Sequence, residues 1–592
     1  MKRQSWFTIV SILAVASFVL TACGTSATPT AAPVVPATSA PVAAPTTAPA
    51  APVATTAPAS TSAPAAAAFT PMVVTAPDCN YGTTDAPAKL KSIEAVDQYT
   101  VKFTLCSPDP AFASKVAFSV FSITSKTALD AAAGDSVKMS DKPDGTGPYM
   151  LSEWVRGDHI TFTANPNYTG PNPAKAKTLT FRWSAESTQR LLELQSGTVD
   201  GIDNPGPDDI KTIQADPNLK LYPREGFNVF YIGFNDTLKP FDNEKVRQAM
   251  GMAINRKRIV DNFYPAGSSV SENFVPTLIK PGFSAGSKWY DYDPTAAKAA
   301  LAAAGFPNGF ETTLSYRNVV RAYLPNVKQI AQEIQAELAQ VGVKVTLKEE
   351  ESATFIDNTT AGKEPFYLLG WNADYPDATN FYDYHFANSQ NKQFGTPFPD
   401  LVEQINAAAK LSDPAARQAV YDKVNDLIKT HVPMIPVANG GSATAFKAAV
   451  QGAHSSPLGN EIFSVMSPAS GDQLTWMQNG EPAALWCSDE EDGETLRACE
   501  QMFDALLSFK VGGLEVQPGL AEKWTPNADL TEWTFNLRHG VKFFSGKELD
   551  ANDVVATYVS QWDASNPNHK GRTGTFTYFG TFFGAFLNAP KK

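Results

Sequence analysis

Five cysteines and six histidines are the residues whose chemistry is simplest to interpret from number and spacing. No two of the histidines (positions 159, 385, 431, 454, 539 and 569) are spaced as metal ligands on one element, so we predict no metal site. The sequence also contains no Gly-x-Ser-x-Gly and no His-Glu-x-x-His, which are common signatures of hydrolases. The sequence therefore gives no positive indication of covalent catalysis or of a cofactor.

Four of the cysteines lie in the main body of the chain: Cys79, Cys106, Cys487 and Cys499. An even set in a protein outside the cytoplasm suggests disulfides, and three connectivities are possible. We favour Cys487–Cys499 and Cys79–Cys106, of which the shorter loop would stabilise the fold by about 3 kcal/mol. Four buried free thiols are the alternative.

The fifth cysteine, Cys23, follows a segment that has the features of a secretory signal. Two basic residues precede the apolar run Trp6–Leu20, which is short for a membrane span. The ending Leu20-Thr-Ala-Cys23 resembles the bacterial lipoprotein cleavage box, in which the cysteine becomes the lipidated first residue. We therefore predict a signal peptide over residues 1–23 and lipidation of Cys23. The alternative is an ordinary cleaved signal with an incidental cysteine.

Residues 24–70 consist almost entirely of Ala, Pro, Thr, Ser and Val. Such a segment cannot bury a core, and its prolines keep it extended, so we predict a disordered tether with a reach on the order of 100 Å. The remaining body is long enough for two to four domains. The formal net charge is −12 and no long Lys/Arg cluster occurs, which argues against a nucleic-acid partner.

Helix and strand patterns alternate along this body. In Pro325–Leu347, apolar residues recur at spacings of three and four, Gly342 ends the helix, and Val343–Leu347 alternates as a strand does. Phe366–Trp371 and Asn228–Phe234 are typical of buried strands. The pattern predicts an α/β protein with layered sheets, in which ligands bind beyond the carboxyl ends of the strands.

Five short motifs resemble the family 5 extracellular solute-binding proteins, the receptors of peptide/nickel-type ABC importers. They are Gly145-Thr-Gly-Pro-Tyr149, Leu194-Gln-Ser-Gly-Thr-Val-Asp200, Gly233-Phe-Asn235, Val246-Arg-Gln-Ala249 with Ala253-Ile-Asn-Arg256, and Ala303-Ala-Gly-Phe-Pro-Asn-Gly-Phe310. The resemblance implies a two-lobed fold like that of type II periplasmic binding proteins, in the large variant with an accessory domain. Such receptors close two lobes around a ligand by a hinge motion.

Segments that open the mature protein in that family lie near the C-terminus of this chain. They are Glu481-Pro-Ala-Ala-Leu485, Pro518-Gly-Leu-Ala-Glu522, Phe535-Asn-Leu-Arg-His-Gly-Val-Lys-Phe543 and Ala551-Asn-Asp-Val-Val555. The segment expected next, Val96–Val101, lies near the N-terminus instead. This order implies a circular permutation, with the old ends joined near residues 452–471 and the new ends side by side. An artefact of sequence assembly is the alternative.

The implied domains are discontinuous in sequence. The accessory domain would comprise residues 80–144 plus 546–592, lobe I residues 145–227 plus 441–545, and lobe II residues 228–440. The permuted arrangement requires Lys592 to lie close to the segment around Leu90.

The resemblance also implies which residues hold the ends of a peptide ligand. Peptide-binding members carry Trp-x-x-Asp after a buried strand, and this Asp pairs with the α-ammonium group of the ligand. Here the motif is Trp371-Asn-Ala-Asp374, so Asp374 takes that role; capping of a turn is the alternative. Arg321 matches the Arg that holds the ligand carboxylate through two hydrogen bonds. Arg317 could substitute for it, and a solvated loop Arg is the alternative.

Three further residues would line the cleft. Trp371 would contribute an aromatic wall, although a purely structural Trp is the alternative, and Asn372 lies beside it. Glu494 belongs to the acidic segment Asp489–Glu494, which aligns with a cleft-lining loop of the family, although the two flanking cysteines depart from the family pattern.

The predicted function is that of a lipid-anchored, extracytoplasmic monomer that delivers oligopeptides or similar small solutes to an ABC importer permease. No covalent chemistry, cofactor or metal is required for that role. An extracytoplasmic hydrolase and a surface sensor or adhesion protein remain alternatives. Within the receptor class, a nickel chelate or an oligosaccharide is an alternative ligand.

Overall fold

The computed structural model describes residues 69–83, 87–265, 267–317, 319, 321–387 and 391–590. The predicted signal peptide, Cys23, nearly all of the predicted tether and Lys592 lie outside the described residues. No helix within these ranges is both long enough and apolar enough to cross a membrane.

The strands of the described ranges are numbered in chain order. They are β1 Val73–Thr75, β2 Leu90–Asp97, β3 Thr100–Leu105, β4 Tyr149–Val155, β5 His159–Ala164, β6 Thr178–Trp183, β7 Gly201–Asp203, β8 Leu219–Arg224, β9 Asn228–Phe234, β10 Ser269–Val270, β11 Glu311–Arg317, β12 Lys344–Glu350, β13 Phe366–Asn372, β14 Met434–Asn439, β15 Ser442–Lys447, β16 Gln473–Gln478, β17 Leu507–Phe509, β18 Val516–Pro518, β19 Ala521–Pro526 and β20 Glu532–Leu537.

The helices are numbered in the same way. They are α1 Phe112–Lys115, α2 Lys126–Ala132, α3 Ser136–Asp141, α4 Ser187–Ser196, α5 Pro207–Ala215, α6 Glu244–Ala253, α7 Arg256–Phe263, α8 Pro294–Ala303, α9 Val327–Gln340, α10 Ser352–Thr360, α11 Thr379–Tyr382, α12 Pro399–Ala408, α13 Pro414–His431, α14 Gly493–Met502, α15 Ala551–Trp562 and α16 Thr577–Phe583. A π-helical turn, Asp383–Ala387, continues α11, and short 3₁₀ turns occur at Ser119–Phe121, Phe463–Val465 and Cys487–Asp489.

A five-stranded antiparallel sheet combines strands from the two ends of the described chain, in the order β1-β2-β3-β20-β19. Alternate residues of β3 are buried, because one face of the sheet packs against an aromatic-rich core shared with α15 and α16. The domain boundary predicted at residue 546 therefore divides this sheet. Strands β19 and β20 lie before that boundary but pair into the accessory sheet, not into lobe I.

A seven-stranded sheet forms the first large α/β layer, in the order β4-β5-β6-β16-β7-β15-β8. Strand β16 comes from the C-terminal half of the chain and runs parallel to both neighbours, β6 and β7. Since β16 lies in the middle of the sheet, this lobe cannot be assembled from residues 145–227 alone.

A six-stranded sheet forms the second large layer, in the order β10-β14-β9-β13-β11-β12. Every residue of β9 is buried, as its continuous apolar run predicts. Helix α9 and strand β12 form the unit predicted from the spacing, and Gly342 between them has φ +90°. A Cβ atom at Gly309 would lie 1.9 Å from the Gly342 carbonyl oxygen, so the loop between α8 and β11, which packs against this helix–strand turn, requires glycine there.

Two disulfides are present, Cys79–Cys106 and Cys487–Cys499, with Cα–Cα distances of 5.6 and 5.9 Å. The first links the segment before β2 to the residue that follows β3. The second links the turn Cys487–Asp489 to α14, and so fixes the acidic segment between them. The chain-entropy model gives about 3 kcal/mol for the shorter loop.

The C-terminal end of the described chain contacts its N-terminal end. Gly584 forms an isolated β-bridge with Ala88, and the Ala585 N–H donates to the Pro87 carbonyl oxygen at 3.2 Å. Residues after α16 therefore lie beside the segment that leads into β2.

Candidate functional site

The candidate site begins where β13 ends. Strand β13 lies inside the six-stranded sheet between β9 and β11, and Trp371 and Asn372 are its last two residues. Asp374 follows after one residue. Its N–H donates to Asn380 Oδ1, and Asn380 Nδ2 donates back to Asp374 Oδ2, both at 3.0 Å. Trp371 Nε1 donates to the same Asn380 oxygen at 3.1 Å, so one amide orients both predicted site residues.

Asp374 is half-buried and carries an uncompensated charge. Within the described ranges, no Lys, Arg or His forms an ion pair with it, and its one side-chain partner is the neutral Asn380 amide. Burial raises the pKa of Asp374 to about 6, and the hydrogen bond from Asn380 opposes this shift only in part. A carboxylate held in this way could pair with a cationic group of a ligand.

Aromatic rings form one wall beside this carboxyl group. Tyr384 stacks on Trp371 with ring centroids 4.7 Å apart, and the His385 ring meets Trp371 edge-on at 5.0 Å. His385 Nδ1 lies 2.7 Å from the Phe381 carbonyl oxygen, and burial lowers the pKa of His385 to about 3. The imidazole is therefore neutral at physiological pH, and it packs in the wall without supplying a positive charge.

A second face of the site comes from α16 and from the residues before α14. Burial raises the pKa of Tyr578, and the negative charges of Asp374, Glu491 and Asp492 raise it further. Three carboxyl groups from two distant parts of the chain thus act on a single tyrosine hydroxyl. The region around Asp374 is consequently negative, which suits a ligand with a cationic end.

The two candidate arginines lie at the carboxyl end of the neighbouring strand. Arg317 is the last residue of β11, which runs parallel to β13, and its Nη2 donates to the Tyr323 hydroxyl at 3.3 Å. The Tyr323 ring packs over Gly370, where a Cβ atom would lie 2.3 Å from the ring. Arg321 is exposed, in a turn closed by a backbone hydrogen bond to Leu324. The strand order therefore brings Arg317 to the same sheet edge as Trp371.

The residues of the acidic segment Asp489–Glu494 have different roles, and the first two of them hold a neighbouring loop. Asp489 accepts hydrogen bonds from the N–H groups of Thr573, Gly574 and Phe576, and Glu490 forms a two-bond ion pair with Arg572 at 2.6 and 2.7 Å. These two acids hold the loop that leads into α16, and hence they position Tyr578.

No hydrogen bond or ion pair of the described residues joins Glu494 to Asp374, and the predicted place of Glu494 in the cleft stays a prediction. Glu494 occupies the first turn of α14, where its charge acts on the pKa of both Arg190 and Arg497 of the first lobe. The acids that act on the same hydroxyl as Asp374 are Glu491 and Asp492.

Asn372 is exposed and, like Trp371 and Asp374, lies at the end of β13. Sequence reasoning did not single out Asn380, Tyr384 or Tyr578. The first two could be found from the sequence, because they lie four residues apart and follow the Trp-x-x-Asp motif directly. Tyr578 could not, since only the fold brings α16 to this place.

Comparison with known proteins identifies the family. The model of the bacterial extracellular solute-binding proteins, family 5 (middle region), matches residues 54–393 and 515–578, which is more than half of the chain. This protein belongs to the family 5 extracellular solute-binding proteins. The members of this family are binding proteins that act outside the cytoplasm, and the α/β sheets described above form the two-lobed type II fold of periplasmic binding proteins.

Individual relatives support the same assignment. The dipeptide-binding protein of Pseudomonas aeruginosa is 32% identical over 379 residues, which cover 63% of this chain and 70% of the relative. The heme-binding protein A of Haemophilus influenzae is 32% identical over 385 residues, which cover 64% of this chain and 70% of that relative. The ABC transporter-associated periplasmic binding protein DppA from Helicobacter pylori, solved in complex with the peptide STSA, is 28% identical with a TM-score of 0.52, covering 65% of this chain and 75% of that one.

The uncompensated charge of Asp374 leads to a stability prediction for the ligand-free family 5 protein. Because the pKa of Asp374 is raised from 3.8 to about 6 on folding, ionisation disfavours the folded state as the pH rises through this window. Asp374→Asn should therefore raise the free energy of unfolding by about 1–3 kcal/mol at pH 7. The gain should vanish near pH 4. Urea denaturation at both pH values measures the change in the free energy of unfolding. A loss of stability at pH 7 would instead indicate that Asp374 caps a turn and has a structural role.

Proposed function

We propose that this protein is a receptor that binds short peptides outside the cytoplasm and delivers them to an ABC importer. The observation that carries the proposal is the half-buried Asp374, which forms no ion pair with any described residue; a peptide α-ammonium group would supply the missing cation. The peptide named for the Helicobacter pylori relative and the name of the Pseudomonas aeruginosa relative support the same ligand class.

The carboxylate end of the peptide is assigned to Arg317, the last residue of β11, and to Arg321 in the turn after it. Arg317 and Arg321 lie on the strand and loop beside the carboxyl end of β13, and a guanidinium group binds a carboxylate through two parallel hydrogen bonds. Trp371 and Asn372 lie between the two ends. Both charge pairs gain strength when the lobes close, because closure removes water from around them.

Ligand binding measured in solution tests the proposal. Wild-type protein is titrated with a dipeptide, with the same dipeptide N-acetylated, and with hemin, and heat or thermal shift is recorded. Binding of the free dipeptide, with no release of hydrolysis products and at least 100-fold weaker binding of the acetylated form, supports the receptor. Equal binding of both peptides, binding of hemin alone, or turnover of the peptide would overturn it.

A lipid on Cys23 would join this receptor to the membrane through the tether of residues 24–70. The sequence Leu20-Thr-Ala-Cys23 and the absence of charge from the tether support this proposal. Mass spectrometry of the mature N-terminus tests it: a diacylated Cys23 is expected, and an unmodified cysteine or a different first residue would contradict the anchor.

The domain order of this receptor is proposed to be circularly permuted relative to its family. Strand β20 pairs with β3 and carries β19 on its other side, β16 inserts between β6 and β7, and the residues after α16 contact Pro87 and Ala88. Cysteines placed at positions 87 and 585 should therefore be joined by a short bifunctional thiol reagent. Failure to form this link in folded, ligand-binding protein would contradict the proposal.

A further inference from the structure

A cavity of about 370 Å³ lies between the accessory domain and the second lobe, apart from the peptide site. The accessory domain contributes Lys89, Asp109, Lys115 and Phe583 to its lining, and the second lobe contributes Asp383 and Lys410. None of the residues assigned above to a peptide ligand lines it. The volume is within the range of small-molecule sites in proteins.

Two opposite charges face this cavity without partners. The Lys115 ammonium group is buried and paired with Asp109 at 2.6 Å. By contrast, the Lys89 ammonium group and the Asp383 carboxyl group form no ion pair or hydrogen bond within the described part of the chain. They lie close enough for Asp383 to raise the pKa of Lys89, and for Lys89 to lower that of Asp383, without being in contact.

The cost of burial therefore dominates the pKa of both groups, and their charges offset it only in part. Burial, with the nearby Lys115 charge, lowers the pKa of Lys89 to about 8, and burial raises the pKa of Asp383 to about 7. A carboxylate beside Lys89 and an ammonium group beside Asp383 would relieve both costs at once. Lys410 is exposed at the rim and adds a second positive charge to the lining.

We propose that this cavity is a second binding site, whose ligand is a small zwitterion of the free amino acid class. The ligand carboxylate binds the Lys89 ammonium group, and the ligand ammonium group binds the Asp383 carboxylate. The additional Lys410 favours an amino acid with an acidic side chain. This second site is separate from the peptide site, and the proposal does not depend on the receptor function.

The element that carries Asp383 also carries part of the peptide site. Asn380 and Tyr384, four residues apart, face Asp374 and Trp371, whereas Thr379 and Asp383, also four apart, line the cavity. A ligand in the cavity would therefore contact the same helical turn that carries Asn380, the residue that orients Asp374.

Titration of the intact protein with L-glutamate tests the second site. Wild type, Lys89→Met and Asp383→Asn are compared, with Asp374→Asn to disable the peptide site and Glu403→Gln as an exposed control on α12. Both cavity substitutions are close in shape to the native residues and remove an unpaired charge, so folding should persist, which thermal melting verifies. Lys89→Met and Asp383→Asn should each weaken glutamate binding at least tenfold, whereas Asp374→Asn and Glu403→Gln should leave it unchanged.

Three results would overturn the inference. The first is no glutamate binding by the wild type at millimolar concentrations. The second is binding lost in Asp374→Asn but kept in Lys89→Met, which would place the amino acid in the peptide site. The third is equal binding of succinate, which lacks the ammonium group, because Asp383 would then have no role. Dipeptide affinity measured on the same Lys89→Met protein reports separately on the receptor function.

Discussion

Asp374→Asn is expected to lower the affinity for a free dipeptide at pH 7 by about 100-fold or more. Removing one partner of a desolvated charge pair costs several kcal/mol, largely because the other charge is left buried and unpaired. The substitution keeps the side-chain shape, and an Asn oxygen can still accept the hydrogen bond from Asn380 Nδ2. Isothermal titration calorimetry with wild-type and variant protein measures the loss.

An N-acetylated dipeptide completes the comparison. It has no α-ammonium group, so its already weak binding should be nearly the same in wild type and in Asp374→Asn. The matched control is Glu403→Gln, an exposed acid of the same lobe, which should bind the free dipeptide as wild type does. An equal loss for both peptides in Asp374→Asn would show that Asp374 shapes the cleft without pairing with the ammonium group.

The dependence on pH separates these roles further. In the ligand-free protein the pKa of Asp374 is about 6, so below this pH the carboxyl group must lose a proton before it can pair with the ligand. The wild-type affinity should therefore fall by up to tenfold per pH unit between about pH 6 and 5. The variant has no titrating group at this position, so its affinity should stay flat across the same window.

Local sequence patterns predict those parts of this structure that local interactions determine. The α9–β12 unit follows from the spacing of apolar residues and from Gly342, and β9 follows from its apolar run. The position of Asp374 just after β13 is local as well, whereas its ligand-binding role is implied only by the resemblance of Trp-x-x-Asp to the family and stays a prediction. Such features need no knowledge of the rest of the chain.

Features that depend on distant segments could not be obtained in this way. The boundary at residue 546 misplaces the β19–β20 pair, because the strand that joins it to the sheet, β3, pairs with β20 from more than 400 residues away in sequence. The place of Glu494 in the cleft stays a prediction, because it rests on the segment Asp489–Glu494, in which only tertiary contacts distinguish one acid from another. Asp489 and Glu490 hold the loop before α16, and this role depends on residues 572–576.

Arg497→Met is expected to destabilise the first lobe by about 3–5 kcal/mol. Arg497 Nη2 contacts Asp203 at 2.9 Å and Arg497 Nε contacts Glu461 at 3.2 Å, while Arg224 contacts both acids from the other side at 3.1 and 2.5 Å. All four side chains are buried. Burial opposes ionisation of Asp203, yet the charges of Arg497 and Arg224 hold its pKa below the ordinary value.

The physical reason is the charge left behind. With Arg497 replaced, two buried carboxylates share one guanidinium group, and the polar Gln478 side chain loses its donor as well. The matched control is Arg182→Met, because Arg182 forms a partly exposed ion pair with Glu193 in the same lobe and should cost less than about 1 kcal/mol. Urea denaturation followed by tryptophan fluorescence measures the free energy of unfolding of both variants. Equal losses would show that the buried network stabilises the lobe no more than a surface ion pair does.

Glu461 connects this buried ion-pair network with the proposed circular permutation. It lies within residues 452–471, the stretch where the family's original ends are proposed to be joined, and both of its oxygens are held by the two arginines. A connection added as a passive linker would have no need of a buried carboxylate. Glu461→Gln should therefore destabilise the lobe as Arg497→Met does, and it should speed proteolysis within residues 452–471. Unchanged stability and an unchanged rate of cleavage would mean that the connection is only a spacer.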